Sequence, residues 1–420
     1  MTRGKHKGAG RSGATMRRLA CPAGSRRPRL AAALLAMSLA LAGCSTLPLW
    51  MVWQRQSAVT DYQHFDNAPV ARASSPRPWP LASDALRWPR GADDAAITQM
   101  LADTGTQALL VIRRGQLVHE QYANGFARDS IGTSFSAAKS VVSLLLGIAI
   151  ADGRIASVDD PVTRYLPELL ANDARFAQIT LRHLLMMRSG IRFDEGYRSP
   201  FAEAARFYLA DDLTAQVAGL RIAGPPDQAY AYKSGDTQLL SMVVQRATGV
   251  PLARYLQDKL WQPLGAEYDA SWSLDSQAKG VARGFCCLNA RALDYARIGQ
   301  LVLDGGRADG RQLVSASWLR DSTATQQRPG DAAPAQRNLE LPGSKQQAFY
   351  AWQWRRAPTP DSQGASATEV QPGADVYAQG LYGQYIYIAP ATQTVLVRLG
   401  QQRGGLFWPG WLGELARLNP

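Results

Sequence analysis

A serine and a lysine lie three residues apart at the head of an apolar segment, in the stretch TSFSAAKSVVSLLLGIAIADGRI. At this spacing Ser136 and Lys139 would share one face of a helix. A serine hydroxyl is a weak nucleophile until a neighbouring group takes its proton, and a lysine can do so once burial lowers its pKa. The pair therefore predicts a serine nucleophile assisted by a desolvated lysine, beside helix amides that would stabilise an oxyanion.

The spacing alone is not specific. Ser276 and Lys279 repeat it, but in a polar stretch that leads into no apolar helix. Taken in isolation, Ser136 could be a helix cap, and Lys139 could extend its charge to the surface. The context favours Ser136 and Lys139, because the apolar run that follows them would desolvate the lysine.

A second proton carrier is expected, and a tyrosine in a Tyr-x-Asn or Tyr-x-Ser triplet would serve. Tyr122, Tyr197 and Tyr232 each begin such a triplet. Tyr122 ends a strand-like run, where a turn explains its Asn. Tyr232 lies 96 residues after Ser136 and just before a helical stretch, so we predict Tyr232 as the proton carrier. Ser234 is then its hydrogen-bonding neighbour, a cap of that helix, or both.

The first 43 residues carry nine Lys and Arg and no acidic residue, so most of the formal net charge of +12 belongs to them. The rest of the chain gives no nucleic-acid-binding signal. The apolar run at 31–43 is too short to cross a membrane as a helix and has the length of a signal-peptide core. Residues 41–44 resemble a bacterial lipobox, which implies that Cys44 is lipidated.

These features predict a lipoprotein signal peptide at 1–43 and a Pro- and Ser-rich tether with a surface-laid segment at 44–95. The protein is then expected in the bacterial cell envelope, attached to the membrane through Cys44. Ser45 rather than Asp after the cysteine favours the outer membrane, facing the periplasm. Met16 would also make a good start, so the true start codon stays open.

Cys286 and Cys287 are adjacent. Neighbouring Cα atoms lie about 3.8 Å apart, which is closer than the usual range for a disulfide. We therefore expect two small buried apolar side chains and no disulfide framework.

The pattern of elements predicts an α/β (α+β) fold. Two strand-like runs flank a turn at Arg114–Gly115, a long helical middle follows, and a second strand pair turns at 390–392. One sheet built from both chain ends, flanked by helices and holding a mainly helical insertion, fits this order. The stretches 323–348 and 356–376 are rich in Pro, Gly and Gln and are expected to be long loops.

Five segments together resemble the serine β-lactamase-related hydrolases, and they occur in the expected order between about residues 100 and 400. They are SFSAAKS, YKSGDTQLL, KLWQPLGAEYDASWSLD, GFCCLNARALDYARIGQLVLDGG and GLYGQYIYIAP. The likeness is strongest to class C β-lactamase-like esterases and 6-aminohexanoate-dimer hydrolases. It implies a β-lactamase/transpeptidase-like fold over 96–420. It also implies an acyl-enzyme on Ser136, with Lys139 and Tyr232 sharing proton transfer and the identity of the base left open.

The resemblance also implies an oxyanion hole formed by the amides of Ser136 and Leu381, with Gly380 allowing close backbone approach. Residues 378–380 lack the cation with which β-lactamases and D-Ala-D-Ala peptidases bind a substrate carboxylate, so a small ester or amide is favoured as substrate. Tyr197 lies in a loop that would contact the substrate.

Two alternatives remain at the level of sequence. One is β-lactamase or D-Ala-D-Ala-type peptidase activity, and the other is a non-catalytic envelope protein that binds a ligand or partner. No cofactor and no metal are expected, because the histidines and cysteines lack metal-site spacing. No nucleic-acid partner is expected, and the oligomeric state is left open.

Overall fold

The computed structural model describes residues 57–82, 86–197, 199, 201–323, 349–356 and 374–419. The predicted signal peptide, Cys44 and most of the predicted loops at 323–348 and 356–376 lie outside the described residues. The start codon and the lipidation of Cys44 therefore stay predictions.

The strands, in chain order, are β1 Asn67–Val70, β2 Thr106–Arg113, β3 Gln116–Tyr122, β4 Gly132–Thr133, β5 Ile191–Arg192, β6 Arg221–Ile222, β7 Ala270–Ser273, β8 Leu288–Ala290, β9 Arg307–Ala308, β10 Arg311–Gln312, β11 Phe349–Ala351, β12 Trp354–Arg356, β13 Val376–Gly380, β14 Gln384–Ala389 and β15 Thr394–Gly400. The α-helices are α1 Asp94–Asp103, α2 Ala138–Ala151, α3 Leu169–Asn172, α4 Leu181–Leu185, α5 Glu203–Leu209, α6 Leu213–Ala218, α7 Ser234–Thr248, α8 Leu252–Leu256, α9 Ala292–Leu303, α10 Ala316–Thr323 and α11 Trp408–Leu418. Within these described ranges, no helix is both long and apolar enough to cross a membrane.

The main sheet has seven antiparallel strands in the order β11-β12-β13-β14-β15-β2-β3. The predicted hairpin at Arg114–Gly115 joins β2 to β3, and both turn residues have positive φ. The predicted pair turned at 390–392 is β14 and β15. The strands β2 and β3 precede the helical region and β11 to β15 follow it, which confirms one sheet built from both chain ends.

Helices cover both faces of this sheet. On one face α9 approaches so closely that a Cβ added to Gly299 would lie 2.5 Å from a methyl carbon of Val395. The absence of a side chain at Gly299 is therefore what lets the helix reach the sheet. The other face buries an aromatic core between the sheet, α1 and α11, whose largest members are Trp88, Tyr377, Tyr385, Tyr387, Trp408 and Trp411.

The helix α2 is buried around its whole circumference from 138 to 149, as expected of a helix in the centre of a large domain. It packs against α7. The Nζ of Lys139 lies 3.1 Å from the Oγ of Ser234, so the N-terminal ends of the two helices are in contact. The helix α7 ends at Thr248, and the capping residue Gly249 has a φ of 70°, the left-handed conformation that glycine adopts most easily.

Cys286 and Cys287 are joined by a disulfide, so the expectation of two reduced cysteines is wrong. That expectation rested on their Cα separation of 3.8 Å. Cys287 has a φ of 68°, a backbone conformation that brings the two neighbouring side chains together. The bridged pair is buried and directly follows Phe285, whose carbonyl belongs to the site described next.

Candidate active site

Ser136 lies in a short 3-10 turn, Phe135–Ala137, that runs directly into α2. Phe135 has a φ of 43°, which is uncommon for a large side chain. The backbone N–H of Ser134 donates to the carbonyl of Leu288 over 2.8 Å and ties this turn to β8. The predicted helix start is therefore present, with its first residues in a tighter, strained turn that presents Ser136.

The side chain of Lys139 is buried, with 1% of its residue surface exposed. Its Nζ lies 3.1 Å from the Oγ of Ser136 and 3.1 Å from the Oγ of Ser234, and it donates to the carbonyl of Phe285 over 2.7 Å. An ammonium has three N–H donors, so these three oxygens satisfy it. The structure thus brings the predicted Ser136 and Lys139 into contact, and α7 supplies a third member.

Burial lowers the pKa of Lys139 from 10.5 to about 8. The carboxylate of Glu195 opposes this effect by stabilising the ammonium, while the guanidinium of Arg355 adds to it. An amine with a pKa near the working pH exchanges protons readily, which is what a general base requires.

Tyr232 lies just before α7, and the Nζ of Lys139 is 5.2 Å from the centroid of its ring. Burial raises the pKa of the Tyr232 hydroxyl well above its ordinary value, and a contact with the Ser136 side chain only partly offsets this. The hydroxyl therefore keeps its proton at neutral pH and is suited to donate it. The structure places this predicted proton carrier beside Ser136 and Lys139.

One acidic side chain at the site was not predicted. The carboxylate of Glu195 accepts hydrogen bonds from the Oγ of Ser234 over 2.6 Å, from the N–H of Ser234 over 2.7 Å and from the hydroxyl of Tyr197 over 2.9 Å. Ser234 is the first residue of α7, and the preceding Lys233 gives no side-chain cap. Glu195 thus supplies the anion that a helix N-terminus favours.

Tyr197 lies at the edge of the site, and its contact with the substrate stays a prediction. The residue is 40% exposed. Its hydroxyl lies 3.4 Å from the Oγ of Ser234 and donates to Glu195. Tyr197 therefore borders the site on the solvent side.

The end of β13 lies against the turn that precedes α2. A Cβ added to Gly380 would lie 2.1 Å from the backbone oxygen of Ser134, so a glycine is required for this approach. The rings of Phe135 and Tyr382 meet edge to face with centroids 5.6 Å apart. The segment that carries Leu381 is therefore packed on the turn that carries the predicted nucleophile, as an oxyanion hole shared by the two would require.

Arg398 of β15 fixes the backbone that follows Gly380. Its guanidinium is buried and donates to the carbonyls of Tyr382 and Gly383 over 2.9 Å and 2.6 Å. Its other nitrogens also have acceptors, so the buried charge is fully hydrogen-bonded. The side chain of Arg398 therefore holds the backbone at 382–383 in place.

A cation faces the site from β12. The guanidinium carbon of Arg355 lies 5.5 Å from the centroid of the Tyr232 ring and 5.6 Å from that of Tyr350. Residues 378–380 of β13 carry no cation, as the sequence indicates. A guanidinium reaches Tyr232 instead from the β11–β12 hairpin, a position that the sequence motifs did not point to.

Two further possibilities yield no site in the part of the chain that the structure describes. The side chains of Ser276 and Lys279, which repeat the spacing, are not hydrogen-bonded to each other. The Nζ of Lys279 pairs with Asp212 at 2.9 Å, and the Oγ of Ser276 donates to the carbonyl of Asp211.

No group of three or more His, Cys, Asp or Glu in the described ranges is arranged to hold a metal ion.

Known proteins are similar to this chain in sequence and in fold. The family described as Beta-lactamase matches residues 94–407. The 6-aminohexanoate-dimer hydrolase of Paenarthrobacter ureafaciens is 29% identical over 327 residues, which are 74% of this chain and 75% of that protein. Esterase EstB of Burkholderia gladioli is 29% identical over 195 residues, 41% of this chain and 49% of the esterase.

A solved structure assigned as a 6-aminohexanoate-dimer hydrolase from Bacillus anthracis superposes with a TM-score of 0.71. It is 23% identical and aligns over 87% of this chain and 94% of that one, which shows a common fold. The expected β-lactamase/transpeptidase-like fold and the resemblance inferred from the motifs are both confirmed. The chain belongs to the beta-lactamase family and is a serine hydrolase.

Proposed function

We propose that the protein hydrolyses a small ester or amide through an acyl-enzyme on Ser136. The observation that carries this proposal is the contact of Ser136 with Lys139, a fully buried lysine whose pKa burial has lowered. The names of two relatives, an amide-cleaving dimer hydrolase and an esterase, support the substrate class.

Acylation begins with proton transfer from the Oγ of Ser136 to the neutral Nζ of Lys139. The Oγ attacks the carbonyl carbon of the substrate, and the carbonyl oxygen takes up negative charge. The amides of Ser136 and Leu381 are assigned to that oxygen, because Gly380 lets the two backbone segments lie together. Lys139 is assigned as the base because its pKa is lowered to about 8, whereas that of Tyr232 is raised.

Tyr232 then protonates the leaving alkoxide or amine. Its raised pKa keeps the phenol protonated until the leaving group develops negative charge, and Lys139 returns a proton to it afterwards. In deacylation a water molecule loses a proton to the same pair and attacks the acyl carbon, and Ser136 recovers its hydrogen. The cycle consumes one water and yields the acid and the alcohol or amine.

An active-site phosphonate with intact-mass analysis tests this function. We expect one adduct per chain, located on the peptide that carries Ser136, together with loss of p-nitrophenyl butyrate hydrolysis. An adduct on another residue, or none at all while turnover persists, would contradict the assignment.

Gly380→Ala should lower kcat about 10²- to 10³-fold, the loss typical of an impaired oxyanion hole. The added methyl would meet the backbone oxygen of Ser134, which cannot rotate away, so β13 must move outward. Gly224→Ala is the matched control, because a Cβ there meets nothing within 4 Å. Measurement of kcat for both variants checks this, and equal rates would argue against the oxyanion role of this strand.

We further propose that the protein is lipid-anchored through Cys44 in the cell envelope, at the outer membrane and facing the periplasm. The basic leader, the apolar run at 31–43 and the lipobox-like residues 41–44 support this proposal. A disulfide at Cys286–Cys287 is in keeping with an oxidising compartment. Incorporation of labelled palmitate that Cys44→Ala abolishes would test it.

A further inference from the structure

Ser234 joins Lys139 to Glu195 in one line of hydrogen bonds. Its Oγ lies 3.1 Å from the Nζ of Lys139 and 2.6 Å from the Oε1 of Glu195. A serine hydroxyl has one hydrogen, and a carboxylate has none to give. The hydrogen of Ser234 therefore points to Glu195, and Ser234 can only accept from Lys139.

The third partner of Lys139 is equally restricted. The carbonyl oxygen of Phe285, 2.7 Å from the Nζ, can only accept. A neutral lysine amine has two hydrogens and one lone pair. With both hydrogens committed to Ser234 and Phe285, the lone pair points toward the Oγ of Ser136, 3.1 Å away.

We propose that Glu195 is a positioning residue for acyl transfer, which acts through Ser234 to direct the lone pair of Lys139 at Ser136. The inference rests on the proposed function, because it needs Ser136 as nucleophile. Glu195 does not touch the reacting atoms. It sets the direction of the hydrogen bond between Ser234 and Lys139, and its second oxygen holds the first N–H of α7 in place.

Glu195 also acts on Lys139 through its charge. The titratable and charged groups that face Lys139 are Glu195 from the loop after β5, Arg355 from β12 and Tyr232 from the segment before α7. Those that face Glu195 are Lys139, Tyr197, Tyr230, Tyr232 and Asp236. Because the carboxylate stabilises the ammonium, its neutralisation lowers the pKa of Lys139. The rate should then begin to fall at a lower pH than in the wild type.

The variant Glu195→Gln distinguishes the proposed action of Glu195 on Lys139 from a purely structural role in supporting the loop. The glutamine amide can donate to the Oγ of Ser234, so the serine hydrogen is free to turn toward Lys139 and occupy its lone pair. We expect the plateau rate of phosphonate labelling at Ser136 to fall about 10- to 100-fold, in proportion to one charged hydrogen bond. The acid limb of the labelling profile should move to lower pH. Glu195→Asp retains the charge and should keep that limb near its wild-type position.

Glu203→Gln is the matched control. The Oε2 of Glu203 accepts from the backbone N–H of Asp194 over 2.9 Å, so it supports the same loop without contacting Ser234. It should leave both the plateau and the acid limb unchanged, and thermal unfolding checks that each variant folds.

Three results would decide against the inference. The first is a plateau labelling rate in Glu195→Gln equal to that of the wild type, and the second is a lower plateau in Glu195→Gln with an acid limb that does not shift. The third applies if Glu195→Gln does not fold, and it is an acid limb that is displaced in Glu195→Asp although this variant keeps the charge. A wild-type protein that takes no phosphonate on Ser136 would instead overturn the proposed function, so the two failures are distinguishable.

Discussion

Ser136→Ala should lower kcat for p-nitrophenyl butyrate by at least about 10⁴-fold, the scale of loss when a covalent nucleophile is removed. No acyl-enzyme can form without the Oγ. The fold should persist, because Lys139 keeps its contacts with Ser234 and Phe285 and the change removes a single oxygen from a partly exposed residue. Steady-state kinetics and the midpoint of thermal unfolding measure the two effects.

Ser276→Ala provides the matched control, because it removes the same atom from the other Ser-x-x-Lys sequence. The Oγ of Ser276 donates to the carbonyl of Asp211 on the protein surface. Its loss should leave kcat at the wild-type value. If Ser136→Ala and Ser276→Ala had the same kcat, Ser136 could not be the nucleophile.

The parts of this site that could be predicted are encoded within a few residues. Ser136 and Lys139 lie within one helical turn, so their shared face follows from helix geometry. Tyr232 and Ser234 are adjacent to the start of a recognisable helix. The hairpin at Arg114–Gly115 follows from its turn and its flanking apolar runs, and the sheet from strand patterns confined to the two ends of the helical region.

The parts that could not be predicted depend on long-range packing. Glu195 meets Ser234 across 39 residues, and no helix or strand period relates two such positions. Arg355 reaches Tyr232 only because the β11–β12 hairpin joins the main sheet. The directions of the hydrogen bonds and the lowered pKa of Lys139 arise from these contacts. These properties of the site could therefore be read only from the folded structure.

The pH dependence of the reaction should follow Lys139. Only the neutral amine can accept the proton of Ser136, so kcat/KM should rise with pH and level off above the pKa of about 8. Below that value the rate should fall about tenfold per pH unit, since the neutral fraction falls by that factor. A pH–rate profile measures this. An acid limb at the pH typical of a carboxylate would show that another group is the base.

Lys139→Met should lower kcat/KM about 10³-fold, in the range expected for loss of a general base. It should also remove the acid limb described above, because no titrating amine remains. Methionine keeps an unbranched apolar chain in the buried site, so the packing of α2 is largely retained. The pKa of Lys139 falls from 10.5 to about 8 on folding, so burial of the ammonium destabilises the native state increasingly as the pH falls between these two values, and in full below pH 8. Its removal should therefore leave the midpoint of thermal unfolding near or above that of the wild type.

Lys279→Met tests whether the effect belongs to the site or to the loss of any lysine. The Nζ of Lys279 pairs with Asp212 on the surface, where an ion pair contributes about 0–1 kcal/mol. This variant should keep the wild-type kcat/KM and the acid limb. The contrast has a physical cause: the same Ser-x-x-Lys spacing yields a base only where burial destabilises the ammonium and where Ser234 and Phe285 hold the amine toward serine. If Lys139→Met retained the wild-type profile, Tyr232 would have to serve as the base despite its raised pKa.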